Sequence, residues 1–237
     1  MSYEALARFY DAVMGDRSQE AVYIRSLIRK HHRAPKTVLE LACGTGAVLE
    51  QLQADFDVTG VDRSQAMLER AAAKLPSARL VHADMTDFAL AERFDVVLCV
   101  FDSINHVLEL EQWEAVFERA REHLDTRGVF IFDMNTQAKL ERFGRSPALP
   151  QWFGDGHLVL VDVRPTARGV SIWDLRIFER LEDSTYRLHR EEIPEVAFPA
   201  ERVRESLSAR FSTVRMYDRR LGRPSARSEV LYFACKA

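Results

Sequence analysis

Three carboxylates stand where an α/β protein presents chemistry to a ligand. Glu40, Asp62 and Asp84 lie within or just after three short apolar, β-branched runs at 37–41, 57–62 and 78–83. Such runs read as buried parallel strands, and open α/β sheets bind ligands at the carboxyl ends of their strands. A carboxylate closing the second strand can accept the protons of both hydroxyls of a ribose. Gly44 and Gly46 follow the first run and, having no Cβ, let backbone approach a ligand closely. A second polar group, Asp102, Asn105 and His106, follows the apolar run 94–101. A histidine there titrates near neutrality, and either takes a proton from an amine or hydroxyl or satisfies nearby backbone.

Those groups require strands alternating with helices. Residues 47–53 supply a helix after the first run, and Ser64 is placed to cap another whose inner face carries Met67, Leu68, Ala71 and Leu75. A dinucleotide-binding turn would need a third glycine after Gly44 and Gly46, but Leu49 stands at that position. Trp113, Val116, Phe117, Ala120 and Leu124 repeat at helical spacing, and 128–134 reads as a fifth strand. Ahead of the sheet, 4–14 and 18–30 read as two helices, the second with a stripe of Ala21, Ile24, Leu27 and Ile28. Tyr3, Phe9, Tyr10 and Tyr23 load this arm with aromatics that either pack or touch a ligand. From Gln137 a loop rich in Pro and Gly leads to 157–164, 170–181 and 185–196, which read as antiparallel strands with turns at 167–169 and 183–184. Arg176, His189 and Glu191 on these strands face either a ligand or solvent. A helix at 199–209 and a hairpin of 212–221 and 227–236 close the chain.

Length and composition bound the reading. A chain of 237 residues suits one sizeable domain with an insertion, and 47% hydrophobic with 29% charged residues is ordinary globular composition. A formal net charge of -3 gives no reason to expect nucleic acid or an anionic membrane as partner. No apolar run reaches membrane-spanning length and the start, Met1-Ser2-Tyr3-Glu4, lacks signal-peptide character, so a cytoplasmic location is expected. Cys43, Cys99 and Cys235 are widely spaced in apolar runs and read as reduced, buried thiols; neither they nor the scattered histidines suggest a metal.

The stretch Glu40-Leu41-Ala42-Cys43-Gly44-Thr45-Gly46 resembles the first motif of the class I S-adenosylmethionine-dependent methyltransferases, with Ala42 where that motif usually has its first glycine. The segment from Asp102 to Val107 resembles the one that follows the fourth strand in their amine and amino-sugar N-methyltransferases. The resemblance implies a Rossmann-like, doubly wound, mostly parallel seven-stranded sheet with an antiparallel final hairpin and an inserted antiparallel β-lid. It implies an N-terminal helical arm at 1–36, a cofactor-binding core at 37–136 and 199–237, and a lid at 137–198 on the substrate side. S-adenosylmethionine, leaving as S-adenosylhomocysteine, would meet Tyr10, Glu40, Ala42, Gly44, Gly46, Asp62, Arg63, Met67, Asp84, Met85 and Phe101. Asp102, Asn105, His106, Asn135 and Arg176 would meet a small-molecule acceptor, with His106 and Tyr10 as the catalytic pair. The expected reaction is methyl transfer to nitrogen. Transfer to oxygen, or cofactor binding without catalysis, stays open, as does a homodimer.

Overall fold

The computed structural model describes residues 4–166 and 169–237. Tyr3 of the arm and Ala167 and Arg168 of the expected turn lie outside the described residues. In chain order the elements are α1 (Glu4–Ala7), α2 (Tyr10–Met14), α3 (Ser18–His31), β1 (Thr37–Leu41), α4 (Ala47–Leu52), β2 (Asp57–Asp62), α5 (Gln65–Lys74), β3 (Arg79–His82) and β4 (Phe94–Cys99). A 3-10 turn at Ser103–His106 precedes α6 (Leu110–Glu122), β5 (Leu124–Asn135), α7 (Gln137–Gly144) and the strands β6 (Leu149–Phe153), β7 (His157–Pro165), β8 (Val170–Arg180) and β9 (Tyr186–Val196). The chain ends with α8 (Ala200–Ser208), β10 (Thr213–Tyr217) and β11 (Val230–Lys236).

Seven strands form one sheet in the order β10-β11-β5-β4-β1-β2-β3, and four form a second in the order β6-β7-β8-β9. In the large sheet β1 pairs in parallel with β2 and β4, while β11 runs antiparallel to β5 and β10. The doubly wound, mostly parallel sheet with its closing hairpin is therefore present, as is an antiparallel sheet between β5 and α8. The order reverses between β1 and β4, which puts a crevice at the carboxyl ends of those strands.

Apolar strands explain the layering. Val38, Val96, Leu98, Val129 and Ile131 face the side covered by Ile24, Leu27 and Ile28 of α3 and Val48, Leu49 and Leu52 of α4. Leu39, Leu41, Val97, Phe130 and Phe132 face the other side, covered by Trp113, Val116 and Phe117 of α6 and Val203 and Leu207 of α8. Cys43, Cys99 and Cys235 are buried free thiols. Among the described residues, no helix is long and apolar enough to cross a membrane.

Several boundaries differ from the sequence reading for physical reasons. The first arm helix breaks at Phe9, whose ring packs beneath the small sheet, 5.9 Å from Phe153 and 5.7 Å from His189 between ring centroids. The stretch after Gln137 is the helix α7, capped by Thr136, whose side chain accepts the Lys139 N–H. The small sheet has a fourth strand, β6, across Pro150. Proline lacks an N–H, yet β6 is an edge strand, where a missing donor is tolerated. β5 begins earlier than expected, at Leu124, because a register irregularity between Phe94 and Val96 lets the two strands pair ahead of Gly128.

Candidate active site

The turn after β1 is built on left-handed backbone at Ala42 (φ 53°), Gly44 (φ 55°) and Gly46 (φ 73°). Its two glycines do different work. A Cβ on Gly44 would meet no atom within 4 Å, whereas one on Gly46 would lie 2.7 Å from Leu75 Cδ1 and 3.2 Å from Ala71 Cβ. Gly44 faces open space, and Gly46 lets α5 press onto the turn. Asp62 ties the turn to the second strand: its Oδ2 accepts the Gly44 N–H at 2.7 Å and its Oδ1 the Ser64 N–H at 2.8 Å. Burial raises its pKa despite those two donors. Ser64 caps α5, as its position suggested, accepting the Met67 N–H.

Above Gly44 lies a cavity with an empty volume of about 890 Å³, its mouth included. Its wall holds Tyr10, Ala42, Gly44, Asp62, Arg63 and Met67, continuing through Asp84, Met85, Phe101 and His106. Asp84 sits at the rim and turns the chain, its Oδ1 accepting the Thr86 N–H and hydroxyl. The arm closes over the turn through Asp11, which accepts from the Thr45 hydroxyl at 2.5 Å and from Lys74 Nζ at 2.6 Å.

A second cavity, with an empty volume of about 1160 Å³, its open mouth included, lies between the arm, the end of β4 and the inner face of the small sheet. Tyr10, Phe101 and His106 line both cavities, so three side chains form a common wall. Phe101 (φ 58°) and Asp102 (φ 51°) are left-handed there, a conformation costing non-glycine residues on the order of 1–3 kcal/mol each. The Asp102 N–H donates to Asp133 Oδ1 at 2.8 Å, which holds that turn. Burial, then the nearby Asp102, pushes the Asp133 carboxyl up to about 7. Burial raises the Tyr10 hydroxyl to about 12, so it stays protonated, and burial lowers His106, so the imidazole is neutral at pH 7. Arg17 covers the outer face of the Phe101 ring, 4.5 Å from its centroid.

Five expected contacts lie elsewhere. Glu40 is enclosed in the sheet without lining either cavity, and burial, with Asp62 beside it, holds its pKa well above the usual range. Gly46 serves packing, as above. Asn105 is fully buried: its Nδ2 donates to the Asn135 and Val196 carbonyls at 3.1 and 2.7 Å, and its Oδ1 accepts the Asn135 N–H at 2.9 Å. Asn135 in turn donates to Glu195 Oε2 at 3.0 Å and accepts from Lys139 Nζ at 2.6 Å. Both asparagines therefore hold the wall together from behind. Arg176 lies on the outer face of the small sheet and donates to Asp174 at 2.6 Å, because Leu175 and Ile177 on either side point inward. His189 is paired with Glu179 at 2.8 Å, which Arg8 of the arm also contacts.

Other residues of the second cavity escaped the sequence reading: Arg17, Asp133, Lys139, Trp173 and Glu195. Glu195 had a usable signal. It shares strand parity with Ile193, which is buried against the inner apolar cluster. One carboxyl oxygen each of Asp102 and Glu195 and one ring nitrogen of His106 lie within 4.8 Å of one another, a spacing that suits a cationic group.

The first cavity offers what S-adenosylmethionine needs: a carboxylate at the second strand end for a ribose, an acid beside a methionine side chain for a purine, and open space above a glycine for the chain bearing sulfur. Residues 38–128 match the family model described as a methyltransferase domain. The chain is 36% identical over 133 residues, 54% of its length and 52% of the relative's, to a dTDP-3-amino-3,6-dideoxy-alpha-D-glucopyranose N,N-dimethyltransferase of Streptomyces fradiae. It spans about half the length of the curated relatives it matches first. It is 30% identical over 193 residues, 73% of this chain and 71% of the other, to a glycine/sarcosine N-methyltransferase of Aphanothece halophytica. Its fold superposes with a TM-score of 0.83 on the sugar N-methyltransferase KedS8 from Streptoalloteichus, at 25% identity over 97% of this chain and 92% of that one. The strand order, the glycine turn and these matches together place the chain in the class I S-adenosylmethionine-dependent methyltransferases, in the subgroup resembling small-molecule N-methyltransferases.

Proposed function

We propose that this protein methylates the nitrogen of a small amine, with an amino sugar as the favoured acceptor class. The observation that carries the reading is the wall shared by the two cavities. Tyr10, Phe101 and His106 touch both, so a donor group in one and an acceptor in the other would meet there. S-adenosylmethionine, when bound, supplies a methyl group already activated by positive sulfur. The protein's part is to orient, to exclude water and to receive a proton. Asp62, Asp84 and Met85 would hold the nucleoside end, and Ala42 and Gly44 would underlie the rest. The neutral His106 ring and the protonated Tyr10 hydroxyl offer fixed polar contacts on the acceptor side. The second cavity has room for an amine larger than glycine, such as the sugars that the names of several relatives give as their substrates.

The test is turnover with dTDP-3-amino-3,6-dideoxyglucose, with glycine, and with a sugar nucleotide bearing only hydroxyls, followed by mass spectrometry of both products. The reading expects a gain of one or two methyl groups on the amino sugar, matched by S-adenosylhomocysteine. Methylation of the hydroxyl compound alone would move the acceptor atom to oxygen. Binding of S-adenosylhomocysteine without turnover of any acceptor would remove the catalytic reading.

A further inference from the structure

Glu195 is only 3% exposed, yet its carboxyl lines the second cavity. Its Oε2 is fixed by Asn135 Nδ2, and Asn135 is itself fixed by Asn105 and by Lys139 Nζ. A carboxyl oxygen of Asp102 lies within 4.8 Å of one of Glu195, on the same cavity wall. Burial and Asp102, opposed by Asn135 and Lys139, push the Glu195 carboxyl up to about 9. The other charged or titratable groups facing this cavity are Tyr10, His106, Asp133, Arg17, Glu20, Arg219 and Tyr232, and Lys139 is already engaged by the Asn135 side-chain Oδ1. Buried Glu195 and half-buried Asp102 thus form a preorganised acceptor of positive charge, within 4.8 Å of His106 on the common wall.

Resting on the amine reading above, we propose that the Asp102–Glu195 carboxyl pair is the receptor for the acceptor's amino group and takes the proton that nitrogen must lose. An arriving ammonium displaces the Glu195 carboxyl proton to solvent and pairs with the carboxylates. One N–H bond then breaks, its proton goes to a carboxylate oxygen, and the electron pair stays on nitrogen as the nucleophilic lone pair. No electron is transferred and no further reactant is needed. An alcohol of the same shape brings no charge to this pair, so the site selects amines.

Cyclohexylamine and cyclohexanol, titrated by NMR into the protein saturated with S-adenosylhomocysteine, test this without knowledge of the natural acceptor. The amine is expected to bind about 10- to 100-fold more tightly than the alcohol, as a charge-assisted hydrogen bond would give. Its affinity should rise with pH as the Glu195 carboxyl loses its proton, until the amine itself deprotonates. Glu195→Gln should abolish both the preference and the pH dependence while S-adenosylhomocysteine affinity stays unchanged. If that variant fails to fold, Asp102→Asn carries the same expectation. Equal binding of amine and alcohol, or an unaltered preference in the variants, would overturn the proposal. So would tight binding of Zn²⁺ or Mn²⁺ alone that is lost in Glu195→Gln, since it would make the pair a metal site. An amine preference without turnover of the amino sugar would leave this pair standing and remove the acceptor class proposed above. Amino-sugar turnover with an unaltered Glu195→Gln variant would do the reverse.

Discussion

The two cavities are built in different ways. The first is assembled from short consecutive segments at successive strand ends: Ala42 to Gly44, Asp62 to Met67, and Asp84 to Met85. The second gathers Arg17, Asp102, Asp133, Trp173, Glu195 and Tyr232 from across the chain. The first needs only one local pattern repeated along a sheet edge, whereas the second is met by residues that tertiary packing brings together from separate elements. The common wall is where the two strategies join.

The largest effect is expected at that wall. His106→Ala should lower turnover by about 10²-fold through lost orientation, with S-adenosylhomocysteine affinity nearly unchanged. Single-turnover kinetics beside calorimetry would separate the two. A loss of cofactor affinity instead would assign His106 to the first cavity alone.

Asp62→Ala sharpens the other side. Its carboxylate fixes Gly44 and Ser64 and would also meet the ribose, so affinity for S-adenosylhomocysteine should fall by about 1.5–3 kcal/mol. Amine binding in the second cavity should change little. Unchanged cofactor affinity would mean that Asp62 only braces the turn.

The glycines separate packing from binding within one turn. Gly46→Ala places a methyl group against Leu75 and Ala71 on left-handed backbone, and should destabilise the fold by about 2–4 kcal/mol in urea unfolding. Gly44→Ala meets only the backbone penalty, about 1–2 kcal/mol, but fills the space that a cofactor would need. Equal loss of stability in the two variants would erase the distinction.

This contrast also explains what could be read in the sequence. The sheet, the glycine turn and the strand-end acids announce themselves through local patterns: apolar runs, Gly44, and acids at the ends. The acceptor wall has no such signature, since Asp102 and Glu195 meet only through tertiary packing. Arg176 and Glu195 show how alternation decides the matter. Arg176 lies between the inward Leu175 and Ile177 and must point out, while Glu195 shares the inward phase of Ile193. Pro150 hid β6, because a strand interrupted by proline reads as a loop until it is known to lie at an edge.

A smaller effect distinguishes the cavities by pH. Glu195, held near 9, and Asp133, held near 7, keep protons in the fold that the unfolded chain has released above about pH 4–5. The folded state then binds more protons, so ligand-free stability should fall as pH rises toward 9. Glu195→Gln removes one of these groups, and its stability should fall less over the same window. Parallel pH curves for the two proteins would show that Glu195 titrates normally.

The most direct test is a crystal structure with S-adenosylhomocysteine and an amino-sugar nucleotide bound together. The account predicts the nucleoside beside Asp62, Asp84 and Met85, the sulfur at the wall of Tyr10, Phe101 and His106, and the acceptor nitrogen across that wall beside Asp102 and Glu195. Competition of the two ligands for one cavity, or an acceptor nitrogen remote from that wall, would contradict it.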